Sequence, residues 1–193
     1  PSFVLGGRGM EVVGNQASLR EYLTGLRITQ EAPLLIDSYI AGLEVELDAI
    51  SDGEDVFIPG VMEHLERAGV HSGDSIAVFP SQNLSADTLA LIADYTKRIA
   101  NYFQVKGFLN IQFVIANNTV YVLEVNPRSS RTIPFLSKVT GISLAELATR
   151  VVLGEKLSEL GYVGLRQFTD EIISVKVPVF SFAKLLDTEI NLG

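Results

Sequence analysis

Two apolar strands meeting at an asparagine pair constrain this chain more than any other feature in it. Gly107 to Ala116 and Val120 to Asn126 both read as strands, and Asn117-Asn118 between them tolerates the left-handed backbone of a tight turn. The return strand carries Glu124 and Asn126 on one face and then runs into Pro127-Arg-Ser-Ser-Arg131. A carboxylate and an amide oxygen two residues apart on a rigid strand suit a hard divalent cation. Magnesium prefers oxygen, keeps several waters, and takes only one or two protein carboxylates beside substrate phosphates. Guanidinium groups next to such a cation suit phosphate or carboxylate oxygens. The stretch points to magnesium-nucleotide chemistry.

Strand parity makes that reading geometric. On the outgoing strand Asn110, Gln112 and Val114 share one face, while Leu109, Ile111, Phe113 and Ile115 share the other. With a two-residue loop at Asn117-Asn118 and a regular ladder, Gln112 opposes Leu123 and faces away from Glu124. A three-residue loop over 117–119, or a bulge restoring the same parity, sets Gln112 opposite Glu124. A metal set of Gln112, Glu124 and Asn126 therefore predicts one of these two irregularities. The alternative is a solvated polar face on an ordinary hairpin. The arginines at the end of an otherwise apolar strand weigh against it, because they need partners.

Composition bounds the rest. The 193 residues are 47% hydrophobic and 20% charged, enough apolar material for a core, as one domain or one domain plus a piece of another. A net charge of -8 argues against nonspecific binding to nucleic acid or to an anionic membrane. The chain has no cysteine, so it has no disulfide or thiol chemistry, which fits a reducing, cytoplasmic setting. Its apolar runs fall far short of the roughly 20 residues of a membrane span. The chain opens on Pro1 with patterned sequence from Ser2 onward, and so reads as part of a longer polypeptide.

The remaining pattern mixes strands and helices. Ser2 to Val13 reads as two short strands about a glycine loop, and Ser18 to Leu26 as a helix with a Ser18/Glu21 capping box. Leu34 to Ile40 reads as a strand broken by Asp37. Glu44 to Ile50 alternates with period two, Ser51-Asp-Gly53 is a turn, and Asp55 to His64 returns as a strand. With Glu44 and Glu46 on one strand, one of the two is expected to be solvated. Ser85 caps a long helix to about Gln104, with Leu89, Ile92, Ile99 and Phe103 at helical spacing. Pro134 and Gly141 bracket a short helix, Ser143 with Glu146 opens another that Gly154 stops, and Glu171 to Phe182 reads as strand around Pro178. Hairpins with interspersed helices give an α+β chain.

At this point the residues resemble a known family. Glu124-Val-Asn-Pro-Arg-Ser-Ser-Arg131 is similar to the metal and phosphate strand of ATP-grasp enzymes. Together with Leu5-Gly-Gly-Arg8, Met62-Glu-His64, Gly69-Val-His-Ser-Gly-Asp-Ser75, Asn110-Ile-Gln-Phe113 and Ser137-Lys-Val-Thr-Gly141, it resembles the carbamoyl phosphate synthetase large-subunit family over nearly the whole chain. Gly69-Val-His-Ser72 and Arg131-Thr-Ile-Pro-Phe135 resemble the C-terminal half, which phosphorylates carbamate with ATP in pyrimidine or arginine synthesis. The resemblance implies an ATP-grasp fold: residues 1–35 as part of the glycine-loop lobe and residues 36–193 as the C-terminal lobe, with a mixed or antiparallel sheet.

It also implies roles. Gln112, Glu124 and Asn126 would hold two magnesium or manganese ions, with Glu124 bridging them. Glu44 would meet the ribose hydroxyls, and Ser38 and Ile40 the adenine. Gly69, Val70, His71 and Ser72 would line the nucleotide, Gly6 and Gly7 would cover its phosphates, and Arg128 and Arg131 would face carbamate and the transferring phosphoryl group. The family can hold potassium near His64, Val70 and Ser75, although Arg67 stands where glutamine is expected. The implied partner is a glutamine-hydrolysing small subunit. An arginine that the family has just before Pro1-Ser2 is absent here, so residues 1–193 alone are expected to be inactive, to bind ATP weakly and to self-associate through exposed strand edges. Bland readings stand beside these: His71 as a loop hydrogen-bonder, His64 as structural, Gly6-Gly7 as an ordinary turn. Two other functions remain open: a different carboxylate or biotin-carboxylating ligase, and a noncatalytic nucleotide-binding module.

Overall fold

The computed structural model describes residues 11–26, 29, 34–66, 75–168 and 172–178. In chain order these form α1 (Gln16–Thr24), β1 (Leu43–Asp52), β2 (Val56–Ile58), β3 (Met62–His64), β4 (Ala77–Phe79), α2 (Ala86–Tyr102), β5 (Lys106–Ala116), β6 (Thr119–Asn126), α3 (Ile133–Thr140), α4 (Leu144–Val152), β7 (Gly164–Leu165) and β8 (Ser174–Lys176). The eight strands make one sheet in the order β6-β5-β1-β3-β4-β8, with β2 on β1 and β7 on β2. The β2–β7 pair is parallel and the others are antiparallel, so the sheet is mixed, within an α+β fold.

The long central strand β1 explains this architecture. Its odd positions, Val45, Leu47 and Ala49, pack with Leu109, Ile111, Phe113 and Val120 under α2 through Ile92 and Ala100. Its even position Ile50 joins Met62, Ala77 and Phe79 on the opposite face, under α3 and α4 through Ile133, Leu136, Leu144, Leu147 and Val151. Each fully buried aliphatic or aromatic side chain contributes about 1.5–3 kcal/mol. Helix α2 starts where Ser85 Oγ accepts from the Thr88 amide, with Asp87 in the first turn. It ends as Gln104 turns to φ 51 and the Val105 amide bonds Ala100 O. Phe103, read as part of its apolar face, is 61% exposed.

The return from β1 is split rather than continuous. Pro59-Gly60 separates β2 from β3, and each piece takes a different outer neighbour, β7 or β4. Gly60 is required there: its φ is +154, and a Cβ would lie 2.4 Å from the Phe79 ring.

Four local expectations are corrected. Helix α1 begins at Gln16, because Asn15 Oδ1 accepts from the amides of Ala17 and Ser18 at 2.9 Å, so Asn15 and not Ser18 is the cap. Leu34 to Ile40 is not a strand: Leu35 is 81% and Ile36 60% exposed, and the segment pairs with no described strand. Continuous hydrophobicity without a partner strand does not fix a sheet. Residues 11–13 form no strand either, and the rest of the proposed N-terminal hairpin lies outside the described residues. Ser143 caps α4 without a side-chain hydrogen bond, so the capping box is not formed in full.

Candidate functional site

The hairpin carries one of the two irregularities that its parity allowed, the bulge and not the longer loop. Asn117 and Asn118 take φ values of 50 and 59, a two-residue turn with both central residues left-handed, closed by Ala116 opposite Thr119. The three-residue loop is therefore not formed. The ladder then breaks between Gln112 and Phe113: Phe113 opposes Val122, while Gln112 opposes Glu124. Leu123 is the extra residue of a bulge in β6 and is 53% exposed. Below it the register resumes with Asn110 opposite Asn126. Glu124 and Asn126 thereby share a face with Gln112 and Asn110.

That face extends across the sheet. Glu44, Glu46 and Asp48 of β1 oppose Val114, Gln112 and Asn110 of β5. All three acids are buried, each 1% exposed. The expectation that one of Glu44 and Glu46 is solvated is overturned, since residues two apart on a strand must point the same way. Between them lies His64, with Nδ1 3.4 Å from Glu44 and Nε2 3.3 Å from Glu46. Burial alone would depress the imidazole, but the two carboxylates together outweigh it and raise its pKa to about 9. On Glu46 burial works the other way, to raise it. Hydrogen bonds from His64 and Asn110, with the nearby charges of His64 and Lys176, hold it below its ordinary value instead. Lys176 of β8 is lowered, first by burial and then by Arg131, against the pull of Glu46.

Asn110 joins these groups. Its Nδ2 donates to Glu46 Oε1 at 2.8 Å and to Asp48 Oδ1 at 3.2 Å, and its Oδ1 accepts from Asn126 Nδ2 at 3.5 Å. Asp48 Oδ2 accepts from Ser130 Oγ at 2.7 Å and also from Thr132 Oγ1. Burial pushes the Asp48 carboxyl up to about 6, the Glu46 charge adds to the rise, and the hydroxyl and amide donors oppose it.

The candidate residues divide accordingly. Gln112, Glu124, Asn126 and Glu44 lie on one face. Arg128 and Arg131 are exposed on the segment that leaves it, with the Arg128 amide bonded to Asn126 O at 2.8 Å. Ser38 is exposed and Ile40 half-buried on the segment leading into β1. His64 and Ser75 are buried. Gly6, Gly7, Arg67, Gly69, Val70, His71 and Ser72 lie outside the described residues.

Sequence reasoning assigned no role to Asp48, Asn110, Ser130, Thr132 or Lys176. The period-two acids Glu44, Glu46 and Asp48 were a usable signal, because three charges on one strand face require a polar partner surface.

The donor chemistry fits a hard cation. Gln112, Glu124 and Asn126 offer oxygen only, and Asn126 turns its amide nitrogen to Asn110, which leaves its oxygen for a ligand. Among the described residues no group of three His, Cys, Asp or Glu side chains is set to hold a metal. One carboxylate with two amides would leave the remaining ligands of such a cation to phosphate and water.

A mixed sheet flanked by helices with this polar face is the ATP-grasp fold. The biotin carboxylase domain of a single-chain bacterial carboxylase superposes with a TM-score of 0.62 at 17% identity, covering 79% of this chain and 34% of that one. The Kluyveromyces lactis urea carboxylase aligns at 25% identity and TM-score 0.50, covering 57% and 10%. The biotin carboxylase domain of a thermophilic 2-oxoglutarate carboxylase bound to ADP aligns at 18% and 0.51, covering 60% and 26%. The chain thus spans about a third or less of each of these structures. The model of the carbamoyl-phosphate synthase L chain ATP binding domain matches residues 1–160, and the chain belongs to that family. Among the described residues no helix is long and apolar enough to cross a membrane.

Proposed function

We propose that this chain is the core of the carbamate-phosphorylating ATP-grasp half of a carbamoyl phosphate synthetase large subunit, with a glutamine-hydrolysing partner. A carbamate oxygen attacks the γ-phosphorus of ATP, the bond from that phosphorus to the β,γ-bridging oxygen breaks, and ADP departs with that oxygen. No protein nucleophile takes part. Gln112, Glu124 and Asn126 would hold the divalent ions, whose chemistry is to offset the negative charge of the phosphates. Arg128 and Arg131 orient the carbamate and balance charge on the transferring group. Glu44 stands at the ribose position, and because it is buried against His64 it would have to turn outward to accept from the ribose hydroxyls.

The β6 bulge carries this reading. A regular ladder would turn Glu124 and Asn126 away from Gln112, and an irregular strand that turns three oxygen donors to one face just before two arginines has a clear use in phosphoryl transfer. The ordered motifs, including Gly69-Val-His-Ser-Gly-Asp-Ser75, support the choice of carbamate. A carboxylating ligase is the second reading, favoured by the carboxylase names among the similar structures.

The test is ATP formation from magnesium-ADP and carbamoyl phosphate by the full gene product. We expect turnover that falls at least a hundredfold in Glu124→Gln. No turnover with carbamoyl phosphate, together with bicarbonate-dependent ATP hydrolysis that biotin stimulates, would sink the carbamate reading in favour of the second one.

A further inference from the structure

A buried carboxylate at position 48 needs a reason, because β1 keeps its neighbours on the other face purely apolar. Both residues flanking Arg131 lead to it. Ser130 Oγ and Thr132 Oγ1 donate to the same oxygen, Asp48 Oδ2, although they lie more than 80 residues away in sequence. Ser130 Oγ also accepts from the Thr132 amide at 3.0 Å, so the turn around Arg131 is closed on itself and then pinned to the sheet. The other oxygen, Oδ1, accepts from Asn110 Nδ2, and Asn110 in turn holds Asn126. One carboxylate thus joins the arginine segment to the row that carries Asn126.

We infer that Asp48 is a positioning residue for anion capture: it fixes the backbone on both sides of Arg131, so that the guanidinium meets an incoming oxyanion already aimed. A plain helix anchor would need one contact at the start of α3. Here both flanks of an exposed arginine share one acceptor, and that acceptor is wired to the candidate metal row. Holding a long cationic side chain at its root removes part of the ordering cost that binding otherwise bears.

The inference rests on the proposed role of Arg131 and is tested without turnover. Inorganic phosphate is titrated into the chain while the side-chain Nε–H signals of Arg128 and Arg131 are followed by NMR. We expect saturable shifts at Arg131 that weaken about tenfold in Asp48→Ala, the low end for losing an outer-shell partner. In Asp48→Asn, which keeps an acceptor oxygen, much of that loss should be recovered. Ser130→Ala breaks one arm with little loss of fold and should give a partial effect, which keeps the test open if Asp48→Ala does not fold. Equal phosphate affinity in wild type, Asp48→Ala and Ser130→Ala overturns the positioning role and leaves the proposed function intact. No phosphate response at either arginine in the wild type overturns the arginine role itself, and this inference with it.

Discussion

The two faces of β1 follow opposite rules. On one side Val45, Leu47 and Ala49 are sealed under α2 with aliphatic and aromatic neighbours. On the other, Glu44, Glu46 and Asp48 are equally buried, each 1% exposed, but are matched by His64, Asn110, Ser130 and Thr132. The first face contributes stability in proportion to the area it removes from water. The second costs desolvation that pairing only offsets, and a well-packed apolar replacement is often as stable. The difference separates what the sheet needs in order to fold from what it holds for use.

The largest expected effect comes from breaking the polar face at one partner. Glu46→Ala leaves His64 and Asn110 without a shared acceptor and should cost about 3–5 kcal/mol, as removal of one member of a buried pair does. Urea denaturation followed by circular dichroism measures it, and a loss under 1 kcal/mol contradicts the network. Ile111→Ala on the apolar face should cost about 2–5 kcal/mol. It should leave the manganese-ATP affinity of the folded molecules within twofold, so a large affinity loss would show that the faces are not separable.

The polar face should also make stability depend on pH. His64 rises from 6.5 to about 9 on folding, so the folded state holds this proton more tightly than the unfolded state. Its contribution is complete below about 6.5 and is lost as pH rises through about 9, with a ceiling of about 3 kcal/mol. Asp48 is likewise raised, from 3.8 to about 6, so its contribution is complete below about 3.8 and is lost as pH rises through about 6. Wild-type denaturation midpoints should decline between pH 6.5 and 9, and His64→Gln should lose that decline. An unchanged slope would mean that His64 is not charged between the two carboxylates. The smallest effect is expected at the turn. Asn118→Gly suits a left-handed residue and should add about 0.5–1 kcal/mol without touching ligand binding.

The apolar face was the more legible in sequence, for a physical reason. Period-two alternation and helical spacing report burial directly, and they gave β1, β5, β6 and α2 nearly in place. The polar face depends on register, which local patterns leave open by one residue. Parity alone showed that an irregularity was needed, and the bulge is at Leu123. Parity could not supply the contacts of Asp48, because Ser130 and Thr132 reach it only once α3 has packed. Leu34 to Ile40 failed in the opposite way: its hydrophobicity promised a strand that no described neighbour accepts.

The central claim is that the bulge turns Glu124, and not Leu123, toward Gln112. Exchanging the two residues, Leu123→Glu with Glu124→Leu, keeps composition and strand length while moving the carboxylate to the bulge position. Paramagnetic broadening by manganese-ATP is read at the side-chain amides of Gln112 and Asn126. The account predicts that the wild type is broadened at both amides and that the exchanged chain, still folded, is not. Broadening retained or strengthened in the exchanged chain would mean that the ladder runs without the bulge, and would contradict the site.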